Sequence, residues 1–149
     1  MSPESPTPLY SGTYPRSMDA KKRVSIPSAW VGAEESPFHV IPHPTEGYLM
    51  VMPPVEFDRW EQRIQASNAS PADKRRAVRK FYSEAHAVTT DKQGRILLPE
   101  GHCNRATLKS EVVFVGAGSR FEIWAKERYE AVEAEDNAVY MQVAGEIGL

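Results

Sequence analysis

The sequence has a single cysteine, Cys103, so an intramolecular disulfide is excluded and a reducing compartment is expected, by default the cytoplasm. Long apolar runs are missing too. Val112-Val113-Phe114-Val115 is typical of the longest, far short of the roughly 20 residues that span a bilayer, so no membrane partner is expected. The opening stretch, Met1-Ser2-Pro3-Glu4-Ser5-Pro6-Thr7-Pro8-Leu9, has no basic segment followed by an apolar core, which argues against a secretory signal. Also absent is an excess of positive charge. A formal net charge of −2 by itself speaks against a phosphate-rich partner.

What is present is unevenly placed. Arg16, Lys21, Lys22 and Arg23 gather around one acidic residue, Asp19, and a second basic group holds Lys74, Arg75, Arg76, Arg79 and Lys80. Glu127, Glu130, Glu133, Glu135, Asp136 and Glu146 collect near the end. One molecule can therefore carry a basic and an acidic face, and net charge does not decide the partner. With 149 residues, 41% hydrophobic and 26% charged, the chain suits one ordinary domain or two small ones.

The chain repeats itself. Slid against itself by 72 positions (Arg23 onto Arg95) it matches without a gap. Tyr10-Ser11 falls on Tyr82-Ser83, Asp19 on Asp91, and Val24-Ser25-Ile26-Pro27 on Ile96-Leu97-Leu98-Pro99. Val40-Ile41 falls on Val112-Val113, Leu49 on Phe121, Val51 on Ile123, and Phe57 on Tyr129. Each copy predicts a short strand (residues 12–18 and 86–90), a polar turn, and a second strand (23–26 and 95–98) ended by a proline that has no N–H for a ladder. A brief helical or irregular segment follows. Two further strands (38–41 with 48–52, 111–115 with 120–124) then lead into a closing helix, from near Pro54 and near Ala125. Gly116-Ala117-Gly118-Ser119 supplies hairpin chemistry between the last two strands. Between the copies, Ser70 reads as an N-cap with Pro71 at the first helical position and Asp73 in the first turn. The helix over residues 71–81 is expected to turn Ala77, Val78 and Phe81 inward. The expected division is a disordered tail over residues 1–9, a first repeat over 10–69, a linking helix over 70–81, and a second repeat over 82–149 with its C-terminal helix.

The informative element is a repeated Asp-x-x-x-Arg, Asp19-Ala20-Lys21-Lys22-Arg23 and Asp91-Lys92-Gln93-Gly94-Arg95, each at a turn between strands. The aspartate can accept N–H bonds within its turn and fix its shape, the lysines project from the tip, and the arginine's fork of donors suits phosphate or a guanine edge. By spacing alone an ion-paired hairpin explains each pair. Recurrence at the same place in both copies shifts the balance, because a fold needs a turn there but not the same charged pair twice.

Asp19-Ala-Lys-Lys-Arg-Val-Ser-Ile-Pro27 and Asp91-Lys-Gln-Gly-Arg-Ile-Leu-Leu-Pro99 resemble the two signatures of the MraZ family. Val112-Val-Phe-Val-Gly-Ala-Gly-Ser-Arg-Phe-Glu-Ile-Trp124 is also similar to that family. The likeness runs from about Tyr10 to about Val132. Two departures stand out: Lys22 occupies a position where the family usually has glycine, which Gly94 keeps, and the proline-containing N-terminal extension is atypical. The resemblance implies a mainly β fold with helices (α+β): two tandem AbrB-like swapped-hairpin β-barrel repeats forming a pseudo-dimer, each half closed by helices. It further implies a homo-oligomeric ring that binds double-stranded DNA at short direct repeats, upstream of the division and cell-wall gene cluster. The implied role is a nucleoid-associated, autoregulating repressor. By carry-over, Arg23 and Arg95 contact DNA with Lys21, Lys22 and Lys92 beside them, while Asp19 and Asp91 shape the loops.

Other chemistry is sparse. Pro42 makes a helix carrying both His39 and His43 an unfavourable reading, His86 beside Glu84 and His102 beside Cys103 complete no ligand set, and no metal, cofactor or small-molecule substrate is expected. Cys103 reads as a buried small residue, and Trp30, Trp60 and Trp124 as core. The basic helix face reads as solvated. No nucleophile–base set is visible, so an enzyme is not expected. The rivals are an AbrB-like antitoxin that also binds a toxin protein, against which a second complete copy argues, and a ring-forming interaction scaffold.

Overall fold

The computed structural model describes residues 9–149; the tail expected over residues 1–9 lies outside the described residues except for Leu9. The fold is α+β. Strands β1 (Thr13–Ser17), β2 (Arg23–Ser25), β3 (Pro37–Pro42) and β4 (Leu49–Met52) are followed by helices α1 (Pro54–Phe57), α2 (Arg59–Gln65) and α3 (Pro71–Glu84). Then come β5 (His86–Thr89), β6 (Arg95–Leu97), α4 (Glu100–Arg105), β7 (Glu111–Gly116), β8 (Phe121–Ala125) and the long α5 (Lys126–Glu146).

Neither half of the chain keeps its strands to itself. Six strands form an antiparallel sheet in the order β1-β7-β8-β4-β3-β5, and β2 and β6 form a separate two-stranded ribbon. With β5, β7 and β8 taken as the counterparts of β1, β3 and β4, the order reads the same from either end. The offset of 72 recurs in the pairing: Val24 faces Ile96 at the centre of the ribbon, and Met50 faces Glu122 where β4 meets β8.

One equivalence differs from the gapless alignment. β3 corresponds to β7 at an offset of 74, Pro37–Pro42 onto Glu111–Gly116, so Val40 matches Phe114 rather than Val112. The connection before β7 (residues 98–110) is two residues longer than that before β3 (26–36), and the turn after it (117–120) is two shorter than 43–48. A shift of two preserves which side chains face which side, because strand side chains alternate with period two. The extra residues accommodate α4, where the first half has only a single turn of 3-10 helix at Ser28–Trp30.

Alternation splits the strands between two cores. Val40, Leu49, Val51, Val112, Phe114, Phe121 and Ile123 face the ribbon, whose Val24 and Ile96 are each 1% exposed, and Cys103 and Trp30 are buried in this same cluster. Ile41, Met50, Met52 and Trp124 face the helices, meeting Phe57, Trp60, Phe81 and Tyr129. The molecule is thus layered as ribbon, sheet and helices.

Ser70 caps α3 as expected: its Oγ accepts the Asp73 N–H at 3.1 Å, with Pro71 at the first helical position. The helix runs three residues beyond 81 to Glu84, whose carboxylate pairs with Lys80 and Arg105 and whose carbonyl meets His102 Nε2 at 2.7 Å. Ala77 is exposed rather than inward-facing; Val78 and Phe81 are half-buried. The helix expected from Pro54 is broken at Asp58 into α1 and α2, and Trp60 is only half-buried.

Candidate nucleic-acid interface

The two Asp-x-x-x-Arg segments fold into the same loop. In the first, Asp19 Oδ1 accepts N–H bonds from Lys21 (2.9 Å) and Arg23 (2.8 Å), Oδ2 accepts from Arg23 Nε (2.9 Å), and the Asp19 carbonyl accepts from Lys22 (3.0 Å). In the second, Asp91 Oδ1 accepts from Gln93 (2.9 Å) and Arg95 (3.0 Å), Oδ2 from Arg95 Nε (2.9 Å), and the carbonyl from Gly94 (3.0 Å). The backbone N–H bond from Arg23, and likewise from Arg95, holds each carboxyl below its usual range, with the arginine side chain adding to it. Each aspartate is thereby kept as an anion that organises the turn.

The fourth residue of each loop is left-handed, with φ of 69° at Lys22 and 76° at Gly94. That turn closes the loop and sends the arginine into the ribbon. It also lets the Lys22 carbonyl accept from Leu98 N–H (2.9 Å) and the Gly94 carbonyl from Ile26 N–H (3.0 Å), so each loop is stitched to the opposite strand.

The ribbon's register brings the two arginines together. Arg23 lies opposite Leu97 and Ser25 opposite Arg95, and directly opposed residues share a face, as do residues two apart. Arg23, Ser25, Arg95 and Leu97 therefore line one side of the ribbon, while Val24 and Ile96 are buried on the other. With each Nε held by an aspartate, no described residue bonds the terminal Nη groups of either arginine. Two guanidinium ends thus stand ready on one surface, with Lys21 and Lys92 exposed at the loop tips and Lys22 half-buried beside them. Ser25 and Leu97, 57% exposed, also belong to this face. Alternation along the two short strands is the signal that marks them, once the pairing is known.

The other charged and polar candidates lie elsewhere. The basic residues of α3 belong to the helix layer, across the sheet from the ribbon. His39 stacks on Phe57 at 3.8 Å and burial pulls its pKa down, against the nearby Asp58. His43 Nδ1 accepts the N–H groups of Thr45 and Glu46. Burial pushes the Cys103 thiol up. No helix among the described residues is long and apolar enough to cross a membrane, and no three His, Cys, Asp or Glu among them are placed to hold a metal.

Residues 81–144 match the family model described as "MraZ protein, putative antitoxin-like". Relatives align over nearly the whole chain. The protein of Heliobacterium modesticaldum named "Transcriptional regulator MraZ" is 35% identical over 136 residues, 91% of this chain and 94% of its own length. Proteins of the same name from Pelotomaculum thermopropionicum (33% identical, covering 93% of this chain and 95% of theirs) and Ligilactobacillus salivarius (35%, covering 87% and 91%) align similarly.

Proposed function

The chain belongs to the MraZ family, and on that premise we propose that it is a transcriptional regulator that binds double-stranded DNA through its two Asp-x-x-x-Arg loops. The observation that carries this reading is the pair of arginines on one ribbon face with their Nη groups unengaged. Aspartate at Nε orients each guanidinium without consuming the end that forms paired bonds to phosphate or to guanine O6 and N7. Lys21, Lys22 and Lys92 add the sequence-independent attraction of phosphate contacts.

Two AbrB-like repeats, residues 10–69 and 82–149 joined by residues 70–81, which cap and open α3, contribute one loop each. Their short strands reach few base pairs, so one protomer binds weakly, and a homo-oligomeric ring multiplies affinity by raising the effective concentration of the remaining loops, roughly 10²–10⁴-fold. Support for self-association comes from α5 and the residues after it, where Val139, Tyr140, Met141, Val143, Ile147 and Leu149 are exposed. The target is a set of short direct repeats upstream of the chain's own gene in the division and cell-wall cluster, where binding represses transcription in the nucleoid.

The test is binding to a labelled duplex from that upstream region, against one with the repeats scrambled. Arg23→Ala and Arg95→Ala are each expected to cost about 1–3 kcal/mol on the repeats. Equal binding to both duplexes by wild type, or wild-type affinity in both variants, refutes the assignment.

A further inference from the structure

The loops are alike in backbone and unlike in charge. Each is preceded by a residue tied to a serine of the neighbouring strand connection: Met18 N–H donates to Ser110 O (2.6 Å) and Thr90 N–H to Ser36 O (2.9 Å). The residue before that serine is Lys109 at the first loop and Glu35 at the second, with Glu34 preceding it. A second bond, Ser36 N–H to Thr90 Oγ1 at 2.7 Å, pins the acidic segment where it is. Glu34 and Glu35 are exposed and share one surface concavity with Asp91, Lys92 and Gly94. Among the described residues no ion pair neutralises either glutamate, nor Lys21, Lys22, Lys92 or Lys109. The first loop thus sets Lys21, Lys22 and Arg23 against Asp19 and Glu100, which shares a concavity with Lys21 and Lys22, while Lys109 opens onto another that holds Glu111, Glu127 and Glu130. The second sets Lys92 and Arg95 against Asp91, Glu34 and Glu35.

Resting on the DNA-binding reading above, we infer that the two loops bind unequally: the first is the phosphate anchor, and the Glu34–Glu35 segment weakens the second. The difference reverses the sign of the local charge, and nearby fixed charges set the potential that a phosphate meets within a Debye length. It also has a geometric consequence. Two equal loops related by a twofold axis would dock on DNA equally well in either direction. Unequal loops give each protomer one preferred direction, as repeats that all point the same way require.

The test measures the affinity of the full chain for the repeat-bearing duplex across a salt series, with the scrambled duplex in parallel. Lys22→Gly, which gives the first loop the second loop's residue, is expected to weaken binding and reduce the slope of log K against log salt by about one. Lys92→Ala is expected to change the slope less. The double variant Glu34→Gln, Glu35→Gln is expected to bind several-fold tighter at low salt, the gain shrinking as salt rises. Intact preference for the repeats with equal slopes for Lys22→Gly and Lys92→Ala, or with no gain from the double variant, overturns the inequality alone. Loss of that preference in wild type overturns the DNA reading and the inference with it. A thermal melt accompanies each variant, and a Lys22→Gly protein that melts no lower than wild type excludes misfolding as the cause of weakened binding.

Discussion

Lys22 holds a φ of 69°, where a side chain costs roughly 1–2 kcal/mol that glycine avoids. Gly94 answers it in the second loop, and a Cβ built there meets nothing within 4 Å, so backbone conformation rather than space explains that glycine. Lys22→Gly relieves the left-handed cost but adds freedom to the unfolded chain, and the net expectation is a gain of up to about 1 kcal/mol in a denaturant melt. Stability and DNA affinity should then move in opposite directions. The aspartates give a second prediction at this scale. Their carboxyls sit below the unfolded value of about 4, so their contribution to loop order is fully present above that value and is lost as pH falls through the lowered folded one. In an acid titration followed by NMR, the amides of Arg23 and Arg95 should shift together with their aspartates. Amides that stay put while the carboxyls protonate would show that the turns hold without them.

Among the elements, α3 depends on its ends. None of its residues is fully buried, so the Ser70 cap is a large part of what starts it. Ser70→Ala is expected to lower stability by about 1 kcal/mol in urea unfolding, with the loop contacts untouched. An unchanged midpoint would mean that packing of Phe81, near the far end, against Phe57 and Trp60 holds the helix without the cap. This helix was legible from Ser70, Pro71 and Asp73 because a cap is a contact between near neighbours. Its far end was not, because Glu84 is held by Arg105 and His102, which arrive from another part of the chain. The inward expectation for Ala77 failed for a related reason: the apolar stripe that packs is narrow, and helical period alone does not show where the neighbouring layer stops.

For the whole molecule, interleaving is the governing fact. β1 finds its partner in β7, β3 lies between β4 and β5, and β2 pairs only with β6. A fragment of residues 10–69 therefore loses a partner from each of its four strands, the sole partner in β1 and β2, and half of the ribbon-facing core. It is expected not to fold as a monomer, showing poorly dispersed amide resonances or self-association in sedimentation. A well-dispersed monomeric spectrum would show that a half can close on itself. The intact chain should instead unfold in one cooperative step, because no half has a core of its own.

Sequence by itself determined whatever depends on neighbours within a few residues: the hydrogen-bonded Asp-x-x-x-Arg turns, the left-handed glycine, the helix cap, and the alternation that makes each strand two-sided. It also carried the offset of 72, since counterparts in both halves repeat the same local demands. Tertiary structure alone decided which strands meet. Pairing across the halves carries β7 two residues out of the gapless alignment, sets Arg23 and Arg95 on one face of the ribbon, and leaves the basic stretch of α3 on the far side of the sheet. It also brings Glu34 and Glu35 beside a loop more than fifty residues away in the chain. Such contacts depend on burying both faces of one shared sheet at once, a condition on the whole chain that no short segment records.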